Sequence, residues 1–187
     1  MLPSPGQNMV TLPLTTVRFL TAERGGEGDP VHALRSAGHA GGAELAHSFD
    51  AWVRARDGTP AGELPLETFN GRVAEFFALA GWGTLRMSSL HDVVAAVDIA
   101  ENWEPRTGGV PGGPVCHLTT GALAAFFTTY ASYPLAAIEV KCAAAGAHHC
   151  RFLLGPAHVL EELYDRAAAG GDYETALAQI SGAITAA

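Results

Sequence analysis

One stretch constrains the fold of this chain more than any other: Glu139 to Cys150, read E-V-K-C-A-A-A-G-A-H-H-C. Strand-like residues flank it, Leu135-Ala-Ala-Ile138 before and Arg151-Phe-Leu-Leu154 after, and Gly146 breaks the middle. Two apolar runs joined by a glycine-bearing connection predict a β-hairpin. Such a hairpin brings Cys142 and Cys150 together near the base of its strands. That is the geometry a disulfide or a tetrahedral metal site needs.

Composition narrows the choice. Of 187 residues, 48% are hydrophobic and 16% charged, which suits a single domain with a substantial core. The net charge of −8 argues against a nucleic-acid partner, for which a basic patch is expected, and does not favour anionic membranes. Three cysteines form an odd set, so no disulfide framework uses them all. The opening Met1-Leu-Pro-Ser-Pro has neither a basic nor an apolar leader region, and no apolar run is long enough to span a bilayer. A cytoplasmic protein with no membrane insertion is expected. In a reducing compartment a close thiol pair more often binds metal than forms a bridge.

The rest of the chain reads as alternating helices and strands. Residues 1–30 form an arm, Pro-rich at the start, with a short strand or helical turn at Val17 to Leu20 and a loop from Arg24 to Pro30. A helix follows from Val31 to Arg56, with Gly41-Gly42 as a candidate break and Leu45, Phe49, Trp52 and Val53 on one stripe. A second helix spans Leu66 to Ala80, its Leu66, Phe69, Val73, Phe76 and Phe77 read as core. Strands are predicted at Thr84 to Ser88 and Val93 to Ile99, with Val93, Ala95, Val97 and Ile99 on one face. Thr107 to Pro114 is a glycine-rich surface loop. Thr119 or Thr120 caps a helix to Tyr130, Pro156 opens one through Ala168, and Asp172 caps a last helix carrying Leu177, Ile180 and Ile184. The fold class predicted is α+β, an antiparallel sheet with helices packed on one side and a metal-bearing hairpin near the C-terminus. The domain proper covers 31–168, and residues 169–187 add a C-terminal helix.

The pattern E-x-x-C-x-x-x-G-x-x-x-C followed by R-F-L-L-G-P-A resembles the end of the 4-vinyl-reductase-type domain. Such domains occur alone, as the N-terminal sensor of aromatic-responsive transcriptional activators, and in a protein associated with bacteriochlorophyll biosynthesis. Their fold is similar to subunits of the vesicle-tethering TRAPP complex. The resemblance extends from about Val31 to Ala168. It implies a zinc held by cysteines and a glutamate beside a pocket for a small aromatic effector. Cys116, which begins the C-x-x-x-x-G segment ending at Gly121, matches the family's upstream cysteine and supplies the third sulfur. Glu139 is the fourth ligand that the resemblance implies.

The spacing itself raises an objection. On a regular strand positions 139 and 142 point to opposite faces, so both reach one ion only if the strand bulges or ends before Cys142. His117, His148 and His149 therefore remain alternatives for the fourth position. Three thiolates and a carboxylate would close the shell, which suits a structural rather than a catalytic zinc. For the pocket the candidates are His117, Trp103, Phe126, Phe127 and Tyr130, with Trp82 and His91 beside them. Taken singly, each is equally an ordinary core residue. Two positions depart from the family pattern: His117 stands where the aromatic sensors carry tryptophan, and Ala147 where they usually carry aspartate.

No acid–base pair, nucleophile triad or dinucleotide fingerprint stands out, and the glycines of 108–113 neither follow a strand nor open a helix. Within these residues there is neither an NTPase phosphate loop nor a helix-turn-helix reader. The expected function is a zinc-stabilised, sensor-like module for a hydrophobic or aromatic small molecule, as a homodimer. Two rival readings are a tetrapyrrole-biosynthesis enzyme or accessory factor, and a TRAPP-like homodimeric assembly subunit.

Overall fold

A 28-residue helix, α1 (Pro30–Asp57), is the longest element, and its ends follow from local chemistry. Asp29 accepts the Val31 N–H at 2.9 Å, Pro30 takes the first helical position, and Gly58 ends the helix at φ 71°. The computed structural model describes residues 12–17, 29–107, 113–169 and 172–184. Most of the predicted N-terminal arm and the greater part of the 107–114 loop lie outside the described residues, as does the side chain of Ile184. Val17 falls in a single helical turn at 14–17.

Helix α1 runs unbroken through Gly41-Gly42. Gly42 is instead a contact point, as are Gly38 and Gly121 of the later helix α3 (His117–Thr128). A Cβ added at Gly38 would lie 2.0 Å from the Leu118 carbonyl oxygen, and one at Gly121 would lie 2.0 Å from that of Arg35. The backbones of α1 and α3 cross at glycine because nothing larger fits. Every residue of α3 from Thr119 to Phe127 is buried, as expected for a helix apolar all round. Helix α2 (Leu66–Leu79) adds Phe69, Val73, Phe76 and Phe77 to the same core.

Strands β1 (Thr84–His91), β2 (Val94–Ala100), β3 (Ala136–Lys141) and β4 (Cys150–Gly155) form one antiparallel sheet in the order β1-β2-β4-β3. Alternation along the strands sends side chains to two separate cores. Leu85, Val97, Ile99, Cys150, Phe152 and Leu154 pack with α1, α2 and α3. Val94, Ala96 and Leu153 pack with α4 (Ala157–Ala168) and α5 (Tyr173–Ile184). The expectation of helices on one side is therefore corrected: they cover both faces. The physical reason is that β2 and β4 are apolar on both faces and need two covers. Val93 falls in the turn before β2 and packs into the second core, not with Val97 and Ile99.

Polar pairs reinforce the second face. Arg151 donates to both oxygens of Asp98 at 2.6 and 2.7 Å and to the Tyr173 hydroxyl at 3.0 Å, while Lys141 Nζ lies 3.1 Å from Glu174. Asp172 accepts the Thr175 N–H at 2.6 Å, so it caps α5 as its sequence position suggests. Among the described residues no helix is long and apolar enough to cross a membrane.

Candidate metal centre and ligand cleft

The hairpin β3–β4 places Glu139 and Cys142 on the same face through a local irregularity. Glu139 pairs with Phe152 and Lys141 with Arg151, so Val140 and Lys141 together oppose one residue. This β-bulge keeps Lys141 on the second face beside Glu174 and returns Cys142 to the first. The parity objection is thereby answered. After Cys142 the chain makes a 3-10 turn over Ala143–Ala145. Gly146, at φ 91°, then lets it fold back to Cys150.

Cys116 reaches the hairpin from the N-terminal end of α3. One ligand atom each from Cys116, Glu139, Cys142 and Cys150 falls within 4.8 Å of the others. The Cys116 sulfur is 3.6 Å from that of Cys150 and 3.9 Å from that of Cys142. A disulfide needs about 2.05 Å, and all three cysteines are free. A tetrahedron with zinc–sulfur bonds of about 2.3 Å has sulfur–sulfur edges of about 3.8 Å, which the two measured separations bracket. All three thiols are buried and Glu139 is 9% exposed. Glu139 Oε2 accepts the Cys116 N–H at 2.9 Å, but its buried Oε1 has no partner. An orphaned carboxylate oxygen is costly, and a cation in the cluster would satisfy it. The donor set therefore fits a metal ion.

The surrounding groups favour sulfur as an acceptor. Ala143 N–H points at the Cys150 sulfur at 3.4 Å, and Asn102 Nδ2 at the Cys116 sulfur at 3.5 Å. The Cys116 thiol donates to Cys150, which raises its own pKa and lowers that of Cys150. Burial, with Glu139 adding to it, pushes Cys142 up to about 11. Neither His117, His148 nor His149 joins the four-atom group. His149 Nε2 instead lies 3.2 Å from Asp98, on the opposite face of the sheet. His117 is half-buried in the first turn of α3, where burial and then Arg35 lower its pKa.

Sequence reasoning missed the residues that cap α3. Cys116 occupies the N-cap position, and no side chain there or at Thr119 or Thr120 provides the cap. Glu104 does so from outside, accepting the Leu118 and Thr119 N–H groups at 2.8 Å each. Burial raises its pKa. The one available sequence signal was a pair of polar residues, Asn102 and Glu104, flanking a tryptophan directly after a buried strand.

A cleft of about 270 Å³ opens elsewhere, beside the C-terminal end of α3. Met87, Val94, Phe127 and Leu154 line it, with Ser89, His91 and Tyr130 as polar neighbours. Of the five residues expected around a ligand, Phe127 and Tyr130 are at this cleft. Phe126 is fully buried, its ring 5.5 Å from Phe49 and 5.1 Å from Phe77, and Trp103 packs edge-to-face on Trp82 at 5.9 Å. His117, Trp103 and Phe126 do not line the cleft. Tyr130 donates to the Ala46 carbonyl oxygen at 2.9 Å.

No curated protein matches the chain by sequence. Among solved structures, the phenol-responsive sensory domain of the transcription activator PoxR, determined with phenol, is similar with a TM-score of 0.62 at 18% identity. That match covers 90% of this chain and 83% of the sensory domain. A vinyl-4-reductase family protein from Methanocaldococcus jannaschii has a TM-score of 0.51 at 16% identity, covering 79% of this chain and 83% of its own. A trafficking protein particle complex subunit 3 from Naegleria fowleri, covalently bound to palmitic acid, gives 0.49 at 11% identity, covering 75% and 88%. Residues 96–156, the span holding Cys116, Glu139, Cys142 and Cys150, match the vinyl-4-reductase (V-4-R) domain family, and the chain around them has the fold of the PoxR sensory domain and the vinyl-4-reductase family protein.

Proposed function

We propose that this chain is a metal-stabilised small-molecule-binding module of the sensor type, with its domain spanning 31–168. Zinc is held by Cys116, Glu139, Cys142 and Cys150, and a small aromatic or hydrophobic molecule occupies the cleft at Phe127 and Tyr130. The observation that carries this reading is the separation of the two features. The four-ligand cluster sits at the N-terminal end of α3 and the cleft at the other. Twelve helical residues place those ends roughly 16 Å or more apart. A metal at one end cannot act on a ligand at the other. Filled by three thiolates and a carboxylate, the metal shell leaves no open position for water. Its role is to tie the hairpin to α3 and fix the helix that walls the cleft.

The size of the cleft supports a small ligand. At about 270 Å³ it falls just below the usual drug-sized range of about 300–1,000 Å³. A single ring with one polar substituent suits it better than a tetrapyrrole macrocycle, with Ser89 or His91 offering the polar contact. Free thiols in a close set suit a reducing, cytoplasmic setting.

Native mass spectrometry of the purified protein, with elemental analysis, tests the reading. One zinc per chain is the expected result, together with a melting temperature that rises with phenol-sized aromatics in proportion to the logarithm of their concentration. Metal-free protein, or bound porphyrin, would overturn it. A stable dimer that no aromatic or lipid stabilises would favour an assembly role.

A further inference from the structure

The segment after β2 carries two buried polar side chains that neither the metal shell nor the cleft uses. Asn102 is 3% exposed and Glu104 5% exposed. Buried groups of this kind are costly unless their partners are fixed. Both are directed at the segment that begins with Cys116, and their hydrogen bonds run in one sequence. Glu104 N–H donates to Asn102 Oδ1 at 3.2 Å, and Thr107 Oγ1 donates to the Glu104 carbonyl at 2.7 Å. The first bond assigns the amide of Asn102: with Oδ1 held by a backbone N–H, Nδ2 must face the Cys116 sulfur, where it lies at 3.5 Å. That sulfur is thus held as a hydrogen-bond acceptor, as a metal thiolate would be.

Glu104 addresses a different problem. The N-cap of α3 is Cys116, and a residue whose side chain is directed into a metal cluster cannot also cap its helix. Capping oxygens come instead from Glu104, on Leu118 and Thr119. The carboxylate sets the start of the helix and with it the position from which Cys116 enters the cluster.

We propose that Asn102 and Glu104 are positioning residues of the metal centre. Asn102 orients and stabilises the Cys116 thiolate through an N–H···S bond, and Glu104 replaces the cap that Cys116 gives up to be a ligand. This rests on the metal reading above, and adds an outer layer of the kind that orients ligands in many metal sites.

Cobalt(II) is the test ion, since thiolate-to-cobalt charge transfer reports on the sulfur directly. Wild type, Asn102→Asp, Asn102→Leu and Glu104→Gln are titrated with cobalt(II), and metal is then withdrawn with a chelator. Asn102→Asp keeps an oxygen for the Glu104 N–H and the size of the side chain, but replaces the N–H donor. The expected result for it is one cobalt per chain, a charge-transfer band moved to lower energy, and affinity reduced about 10–100-fold. Glu104→Gln leaves one acceptor oxygen for two N–H groups and should release metal faster with the band in place. Asn102→Leu checks the same donor loss, and Asn102→Asp carries the test if the leucine variant does not fold. Wild-type protein that binds no cobalt overturns the metal reading and this inference with it. Cobalt bound by wild type and Asn102→Asp with the same affinity and the same band overturns this inference alone.

Discussion

Two glycines three positions apart on α1 should respond to the same substitution with opposite signs. At Gly41 an added Cβ meets nothing within 4 Å, so Gly41→Ala gains helix propensity alone, about 0.8–1 kcal/mol. At Gly38 the same Cβ would sit 2.0 Å from the Leu118 carbonyl oxygen, 2.9 Å from its carbon and 3.0 Å from the Ala122 nitrogen. Ordinary contact begins near 3.5 Å, so α1 and α3 would have to part by roughly 1.5 Å. The obstacle is backbone of a buried helix, not the end of a flexible side chain. Overpacking of this sort costs about 1–3 kcal/mol, occasionally more, and the upper end applies here. After the propensity gain, Gly38→Ala should lose about 2 kcal/mol. That is a fall of roughly 4–8 °C in melting temperature for a chain of this size, against a rise of about 2–4 °C for Gly41→Ala. Urea titration with circular dichroism separates the two, since midpoint shifts at constant slope report stability. If both variants moved in the same direction, the glycine-to-glycine crossing would be wrong.

Other consequences can be measured on the same protein. Cys142→Ser should release the metal and lower the melting temperature, because metal-binding energy is also folding energy; elemental analysis and calorimetry read the two effects. Glu139→Gln should reduce metal affinity in a chelator competition while His148→Ala and His149→Ala leave it unchanged; the reverse pattern would move the fourth ligand to a histidine. Ala131→Trp, at the cleft wall, should abolish any aromatic-dependent thermal shift without loss of metal. Asp98 is held below the usual carboxylate range by its hydrogen bonds from Arg151. Its contribution is therefore fully present above the unfolded value of about 4, and is lost as pH falls through the lower folded one. Asp98→Asn should cost roughly 1–3 kcal/mol at neutral pH, and its difference from wild type should shrink in melts below about pH 4.

What could be read from the sequence was local. The hairpin was legible because its strands, its glycine and its two cysteines lie within a short span, and such spacing survives any tertiary context. The α2 stripe was legible because Phe69, Val73 and Phe76 repeat at helical period. The bulge was not: nothing in Glu139-Val-Lys-Cys142 states that Val140 and Lys141 share one partner, and only pairing with Arg151 makes it so. Gly41-Gly42 read as a break because glycine is weak in helices. The companion helix that makes Gly42 necessary lies some 80 residues away. Glu104 gave no cap signal because it serves a helix that starts 13 residues later, beyond the reach of any local capping pattern. The second cover of the sheet, α4 and α5, was visible as helices but not as a separate layer, since periodicity identifies an apolar face without naming what it packs on.

The strand order has a consequence for how the molecule is made. Each hairpin, β1 with β2 and β3 with β4, can close on its own within microseconds. The seam between β2 and β4 joins residues about 50 positions apart, such as Ile99 and Cys150, and must wait for that longer loop to close. During synthesis the first hairpin emerges with one edge of β2 unpaired, and it stays so until the chain through Gly155 has left the ribosome. For those seconds, at roughly 5–20 residues per second, an apolar strand edge is open to any neighbouring chain. The crowding of nascent copies, more than the stability of the finished fold, then sets the yield of native protein.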